Sequence, residues 1–138
     1  MIEALWAEVI LEIPFHDVDA MGVAWHGHYL KYLEIARTEM MRKIGLDFQG
    51  MKNSGHLWPV VGCNLKYVQP LRYGQKVKVR ASVVEFQCRL RVAYLISDAQ
   101  TGQRLTRAET TQVAVKAGTG ELVFDLAPLF SGMARLPQ

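Results

Sequence analysis

One long helical pattern stands alone in a chain otherwise written in strand alternation, and that imbalance limits the folds open to it. Tyr29, Leu33, Ala36, Met40 and Ile44 recur at spacings of four, three, four and four. This places them on one face of an α-helix with its 3.6-residue turn. Lys31, Glu34, Thr38, Glu39, Arg42 and Lys43 take the other faces, with Glu39 ahead of Lys43 in the favourable i,i+4 order. Gly45 is placed to end the helix, because glycine enters the left-handed conformation of a helix C-terminus without steric cost.

Before the helix, Ala7, Val9, Leu11 and Ile13 alternate with Glu8 and Glu12, a period of two that predicts a strand with one face on a core. Pro14 ends it or marks an edge. After the helix, residues 46–57 read as a connection, with Gly50, Asn53, Ser54 and Gly55 as breakers. Four longer strands follow. The first runs over 58–69, with Pro59 marking its start and Gly62 a bulge. The second spans 76–86 with Val77, Val79, Ala81 and Val83 inward, and the third 89–97 with Leu90, Val92, Tyr94 and Ile96 alternating. Thr101-Gly102 lies in a hairpin turn, and the last strand covers 104–117, closed by Gly118 and Gly120. The tail is expected to pack its apolar first half, 122–130, on the body and to fray at its end.

With 138 residues, half of them hydrophobic, the whole chain 1–138 reads as a single domain able to bury a real core. One strand, one helix and then strands joined by short turns is an α+β order. An antiparallel meander cannot bury its apolar face alone, so the helix must lie against it. One helix covers only part of so long a sheet, which leaves edges and apolar surface for another copy of the chain.

The net charge of +3 comes from 16 Lys and Arg spread along the chain. That is too even a distribution to imply nucleic acid as a partner. Glu3 and Glu8 fall where a secretory signal would need basic and then apolar residues, and no apolar run is long enough to span a membrane. Cys63 and Cys88 form no C-x-x-C pair. They read as buried inert thiols in a reduced, cytoplasmic protein. Serine-hydrolase elbows, Walker loops and dinucleotide fingerprints are missing from the sequence. His16, Asp17, Asp19, His26 and His28 match no standard zinc spacing, so no metal is expected.

The chemistry gathers in the loop that runs into the helix. Asp17, Asp19, His26 and His28 surround Gly22 there. A helix N-terminus presents backbone N–H groups with no intrahelical partner, and these can hold a carbonyl oxygen as it becomes an oxyanion. A carboxylate beside it could attack the carbonyl carbon or take a proton from water that does so. The same aspartates could equally cap a turn that Gly22 allows.

Asp17-Val18-Asp19-Ala20-Met21-Gly22-Val23, followed by Trp25-His26, Tyr29-Leu30, Glu34, Ala36-Arg37 and Glu39, resembles the D-x-D-x-x-G signature of hotdog-fold acyl-CoA thioesterases. The groups it is most similar to are the 4-hydroxybenzoyl-CoA thioesterase family and its YbgC-like relatives. The motif covers about a quarter of the chain. The resemblance implies a hotdog fold, an antiparallel sheet wrapped around one long central helix, and hydrolysis of an aliphatic or aromatic acyl-CoA to free acid and CoA. It implies a catalytic role for Asp19 rather than Asp17, with the backbone N–H of His26 polarising the thioester carbonyl. Gly22 would shape the loop, and Trp25 and Tyr29 would line or support the acyl pocket. Arg89 and Arg91 are candidates for the phosphates of coenzyme A, which is part of the substrate; no cofactor is expected. A homodimer or homotetramer with sites at the subunit interface is implied too. Met21, Trp25, Gly27 and His28 stand where YbgC-like chains have other residues, which bears on the substrate more than on the reaction. Two rivals share the fold: a module that binds acyl-CoA without cleaving it, and a hotdog hydratase or dehydratase.

Overall fold

In the computed structural model, which describes residues 5–46 and 48–129, the alternating segments form the middle of a five-stranded antiparallel sheet. Its strands are β1 (Trp6–Glu12), β3 (Val60–Tyr67), β4 (Lys76–Glu85), β5 (Leu90–Asp98) and β6 (Arg104–Gln112), in the order β1-β4-β5-β6-β3. A smaller sheet joins β2 (His56–Leu57), β7 (Ala114–Lys116) and β8 (Leu122–Val123) in the order β2-β7-β8. The helices are α1 (Tyr29–Arg42) and α2 (Phe48–Ser54), with 3₁₀ turns at Phe15–Asp17 and His26–His28.

The period of two translates directly into burial. Val77, Val79, Ala81 and Val83 of β4 and Leu90, Val92, Tyr94 and Ile96 of β5 are all buried. A fully buried apolar side chain of this size contributes about 1.5–3 kcal/mol, so these two strands anchor the sheet. Register carries the pattern sideways, with Val9 opposite Val79 and Ala7 opposite Ala81. α1 lies chiefly across β1 and β4 and buries Tyr29, Leu33, Ala36 and Met40 against them. Ile44, the last residue of the expected stripe, is half-buried against the same core.

Gly45 ends the helix as expected, at φ +75°. Its N–H donates to Arg42 O at 3.1 Å and that of Leu46 to Met41 O at 3.0 Å, the paired bonds that satisfy the last carbonyls of a helix. On the outer surface of the helix, Glu39 pairs with Arg42 rather than with Lys43. Lys43 instead donates to Trp6 O, with its ammonium 4.7 Å from the Trp6 ring. Apolar ring area close at hand outweighs an exposed ion pair of small net value.

Several expectations need correction. The connection over 46–57 contains α2, because Gln49 bonds Asn53 across one turn and Ser54 Oγ bonds Met51 O, so residues read as breakers serve the helix instead. The strand expected over 58–69 forms as β3 just past Pro59, and the stretch read as a connection ends in a short strand, β2. The last long strand is cut in two, with Val113 separating β6 from β7. The expected bulge appears between Val60 and Gly62. The chain forms one more strand, β8, in the apolar part of the tail, and Leu126 beyond it is fully buried. The stretch 130–138, where fraying was expected, lies outside the described residues. Cys63 and Cys88 are exposed rather than buried, on an edge strand and in a turn.

Candidate active site

The loop between the 3₁₀ turns is a tight, cross-braced structure. Asp19 N donates to Val23 O and Gly22 N to Asp19 O, both at 3.0 Å, and Val18 bridges Ala24. Gly22 adopts φ +77°, which a side chain would strain. The loop is also tied to the segment before β4, through Ala24 N to Leu71 O at 2.7 Å and Tyr73 N to Gly22 O at 3.0 Å.

Within it the two aspartates have opposite surroundings. Asp19 is exposed, and its Oδ1 accepts the N–H of Met21 at 2.8 Å, a local Asx turn. Its second carboxylate oxygen has no hydrogen bond among the described residues. Asp19 lines a groove of about 330 Å³ together with Trp25, His26, Tyr29, Tyr67 and Val68. Asp17 is 2 % exposed. Its carboxylate accepts Lys31 Nζ at 2.7 Å to each oxygen and Tyr32 Oη at 2.7 Å. Burial alone would raise the Asp17 carboxyl, but the hydrogen bonds from Lys31 and Tyr32, with the nearby charges of Lys31 and His28, outweigh it and hold it below the usual value. Burial, with Asp17 as an acceptor, pushes the Tyr32 phenol well up.

His26 opens the second 3₁₀ turn, which continues into α1. Its carbonyl accepts Tyr29 N and, at 3.2 Å, Tyr67 Oη. Its own N–H has no backbone acceptor among the described residues, as the start of a helical segment requires. Tyr29 is buried at the floor of the groove, its hydroxyl accepting Leu71 N at 3.3 Å and its ring 4.7 Å from that of Tyr67. Burial raises its phenol. Trp25 is 51 % exposed and lies on Gly27. A Cβ at Gly27 would come within 2.2 Å of the indole.

The structure therefore brings Asp19, Trp25, His26 and Tyr29 to one groove, with Gly22 shaping the loop beside it. It does not bring Arg89 and Arg91 there. Arg91 is held by Glu85 at 3.0 Å and Glu109 at 2.8 Å, and Arg89 by Glu85 at 3.2 Å. Tyr67 and Val68, at the end of β3 and just beyond it, are lining residues that local spacing did not reveal. Lys31 lies on an exposed face as the helical pattern placed it, and its ammonium reaches back to Asp17. A cleft of about 370 Å³ between β1 and the last turn of α1 is walled by Glu8, Glu39, Arg42 and Lys43, most of them already in ion pairs, and lies away from the loop. Among the described residues no cluster could hold a metal ion, and no helix is long and apolar enough to cross a membrane.

A carboxylate with one oxygen hydrogen-bonded and one free, lining the same groove as a residue that starts a helical turn with its N–H unpaired among the described residues, is an arrangement suited to acyl transfer. The chain belongs to the thioesterase-like superfamily, whose profile matches residues 13–135. Its fold is the hotdog fold, and its class is that of a thioester hydrolase. It is 34% identical to "Putative esterase sll0410" of Synechocystis sp., over 90% of this chain and 75% of that protein. It is 25% identical to the acyl-CoA thioester hydrolase YbgC of Escherichia coli O6:H1, over 56% of this chain and 58% of the relative. Several curated relatives are matched over only a little more than half their length. A crystal structure of a DHNA-CoA thioesterase from Staphylococcus aureus superposes with a TM-score of 0.81, at 26% identity, covering 95% of this chain and 87% of that one.

Proposed function

We propose that this protein hydrolyses the thioester of an acyl-CoA, releasing the free acid and CoA. The observation that carries the proposal is the open oxygen of Asp19 sharing one groove with the unpaired N–H of His26. The thioester carbonyl oxygen points at that N–H. Asp19 takes a proton from water while the water oxygen bonds to the carbonyl carbon, and the negative charge on the carbonyl oxygen is held by the helix start. The tetrahedral intermediate expels the CoA thiolate, which receives the proton from Asp19. In the nucleophilic variant, the open Asp19 oxygen bonds to the carbonyl carbon, the thiolate leaves, and water hydrolyses the resulting anhydride. Label found in the Asp19 carboxylate after a single turnover in ¹⁸O-water identifies the anhydride route with water attacking the Asp19 carbonyl, and trapping of the acyl-enzyme by hydroxylamine identifies that route when water attacks the acyl carbonyl.

Coenzyme A enters as part of the substrate, and the reaction needs no separate cofactor. The acyl group lies against Trp25, Tyr29 and Tyr67, a wall of ring faces that suits aromatic and short aliphatic acyl groups alike. The working unit is a homodimer or a larger homo-oligomer. That reading is supported by β3, a sheet edge with a free row of backbone groups and exposed Val60, Val61 and Tyr67, with exposed Val68 just beyond it. Since Tyr67 and Val68 also line the groove, a second copy on this edge would wall it. A reducing, cytoplasmic setting is supported by the two exposed free thiols.

The test is release of free thiol from a panel of aliphatic and aromatic acyl-CoAs by the parent and by Asp19→Asn. The proposal expects turnover by the parent and its loss in the variant with the fold retained. Tight acyl-CoA binding with no thiol release would make the protein a binding module instead, and addition of water to an enoyl-CoA would make it a hydratase.

A further inference from the structure

The motif holds two aspartates, and the reaction uses one. A carboxylate buried as deeply as Asp17 is kept only when its surroundings are built for it, and here they are. Both oxygens accept Lys31 Nζ and one accepts Tyr32 Oη, each at 2.7 Å, from the first turn of α1. The backbone of the same residue accepts Trp25 N at 3.0 Å and donates to Pro14 O at 3.1 Å. Asp17 therefore grips the chain on both sides of His26: at Trp25 just before it, and at Lys31 and Tyr32 one turn after it. Two residues along from Asp17 stands Asp19, held in the same loop by the Val18–Ala24 bridge and the bond from Asp19 N to Val23 O.

We infer that Asp17, with Lys31 and Tyr32, is a positioning residue that sets the span between the Asp19 carboxylate and the His26 N–H. This rests on Asp19 being the reacting carboxylate. Catalysis at such a pair depends on placement, and an error of about 1 Å can cost roughly a hundredfold in rate. The bond from Tyr32 Oη to Asp17 joins the helix to the loop with both partners buried. The groups facing Asp17 are Lys31 and Tyr32 from α1, His28 at 3.9 Å from the turn before it, and His16 at 3.7 Å from its own turn. Lys31 is the nearest cation and faces both oxygens, so it carries the neutralisation.

Asp17→Asn keeps the shape and removes the charge. In folded protein, judged by circular dichroism well below the melting temperature, kcat is expected to fall about tenfold or more while KM stays within about twofold, since placement acts on the transition state and not on substrate binding. Lys31→Met is expected to lower kcat similarly, and the Asp17→Asn, Lys31→Met double variant no further, because the two act as one unit. Tyr32→Phe removes one bond of three and serves if Asp17→Asn does not fold; a several-fold fall in kcat is expected. A purely structural role would lower the melting temperature and leave kcat of the folded fraction at the parent value, and that result in Asp17→Asn, or in Tyr32→Phe where the former does not fold, overturns the inference. Full activity in Asp19→Asn would instead overturn the catalytic assignment of Asp19. An inactive Asp19→Asn beside a fully active Asp17→Asn removes the positioning role alone.

Discussion

The two edges of the main sheet are built from similar apolar strands and finished in opposite ways. β1 carries Glu8 and Glu12 between its apolar residues. Glu8 pairs with Arg80 at 2.8 Å and lies 3.7 Å from Lys78, and Trp6 sits under the cations of Lys43 and Arg80. Charge and bulk of this kind blunt an edge against further pairing. β3 has Val60, Val61 and Tyr67 in solvent, with Val68 just beyond it, and Val61 is 61 % exposed. α1 lies over the β1 side of the sheet, so the β3 side keeps open surface and the groove forms at its end. An exposed apolar edge beside the groove is the surface that the proposed assembly would use.

The comparison breaks most sharply at the carboxylates. Asp19→Asn, at the groove, is expected to lower kcat by roughly 10²–10⁴-fold, the usual worth of a positioned acid or base. Glu8→Gln, at the blunted edge, is expected to leave kcat within about twofold, in line with the small value of exposed ion pairs. Steady-state thiol release checks both.

Assembly provides the next contrast. Val61→Glu puts an unpaired charge on the open edge and is expected to weaken self-association by at least about tenfold, or roughly 1.4 kcal/mol. Ile10→Glu on β1, also exposed, is expected to leave it unchanged. Sedimentation velocity across a concentration series decides the matter, and a monomeric parent would end the account of β3.

A smaller effect concerns the groove wall. Gly27→Ala forces the Trp25 indole off its seat. Because that ring is half in solvent, the fold is expected to hold while the kcat/KM ratio of bulky to small acyl-CoAs shifts by roughly tenfold, the scale at which pockets discriminate by a few carbon atoms. Trp25→Ala should shift the same ratio in the same direction.

The smallest effect is on acid stability. Asp17 titrates below its ordinary 3.8, and Asp98 is held at about 2 by the Gln75 amide and by the N–H groups of Thr101 and Gln100 in its hairpin. Both carboxyls have lowered values in the folded chain, so their stabilisation is complete above 3.8 and is lost as pH falls through the folded values. Urea midpoints of the parent should therefore drop between about pH 4 and pH 2, and Asp98→Asn should flatten that drop.

The spine of the sheet and the face of α1 could be read from the chain because both are set by local period, and burial follows it residue by residue at 77–83 and 90–96. The motif likewise located Asp19 and His26, since they lie in one continuous loop. Contacts between distant segments left no such trace. Tyr67 reaches the His26 carbonyl from 41 residues away, and Lys31 reaches Asp17 across 14, so neither falls within the spacing of one element. α2 was hidden because Gly50, Asn53 and Ser54 are poor helix formers whose preference gave way to context. The break at Val113 had no marker, since valine favours strands. It lies opposite Pro59, between β2 and β3; the Pro59 carbonyl accepts Val113 N at 3.3 Å, but proline has no N–H to return a bond.

That shared break has a mechanical result. β2–β3 and β6–β7 form a single two-ply ribbon that turns its corner in both plies at one level, stapled inside by the bond of Gln112 Nε2 to Trp58 O at 2.8 Å. The little sheet beyond the corner is thus an extension of the large one, folded over like a flap. Lengthening its tip at Gly118–Gly120 would change the flap and leave the distant groove untouched.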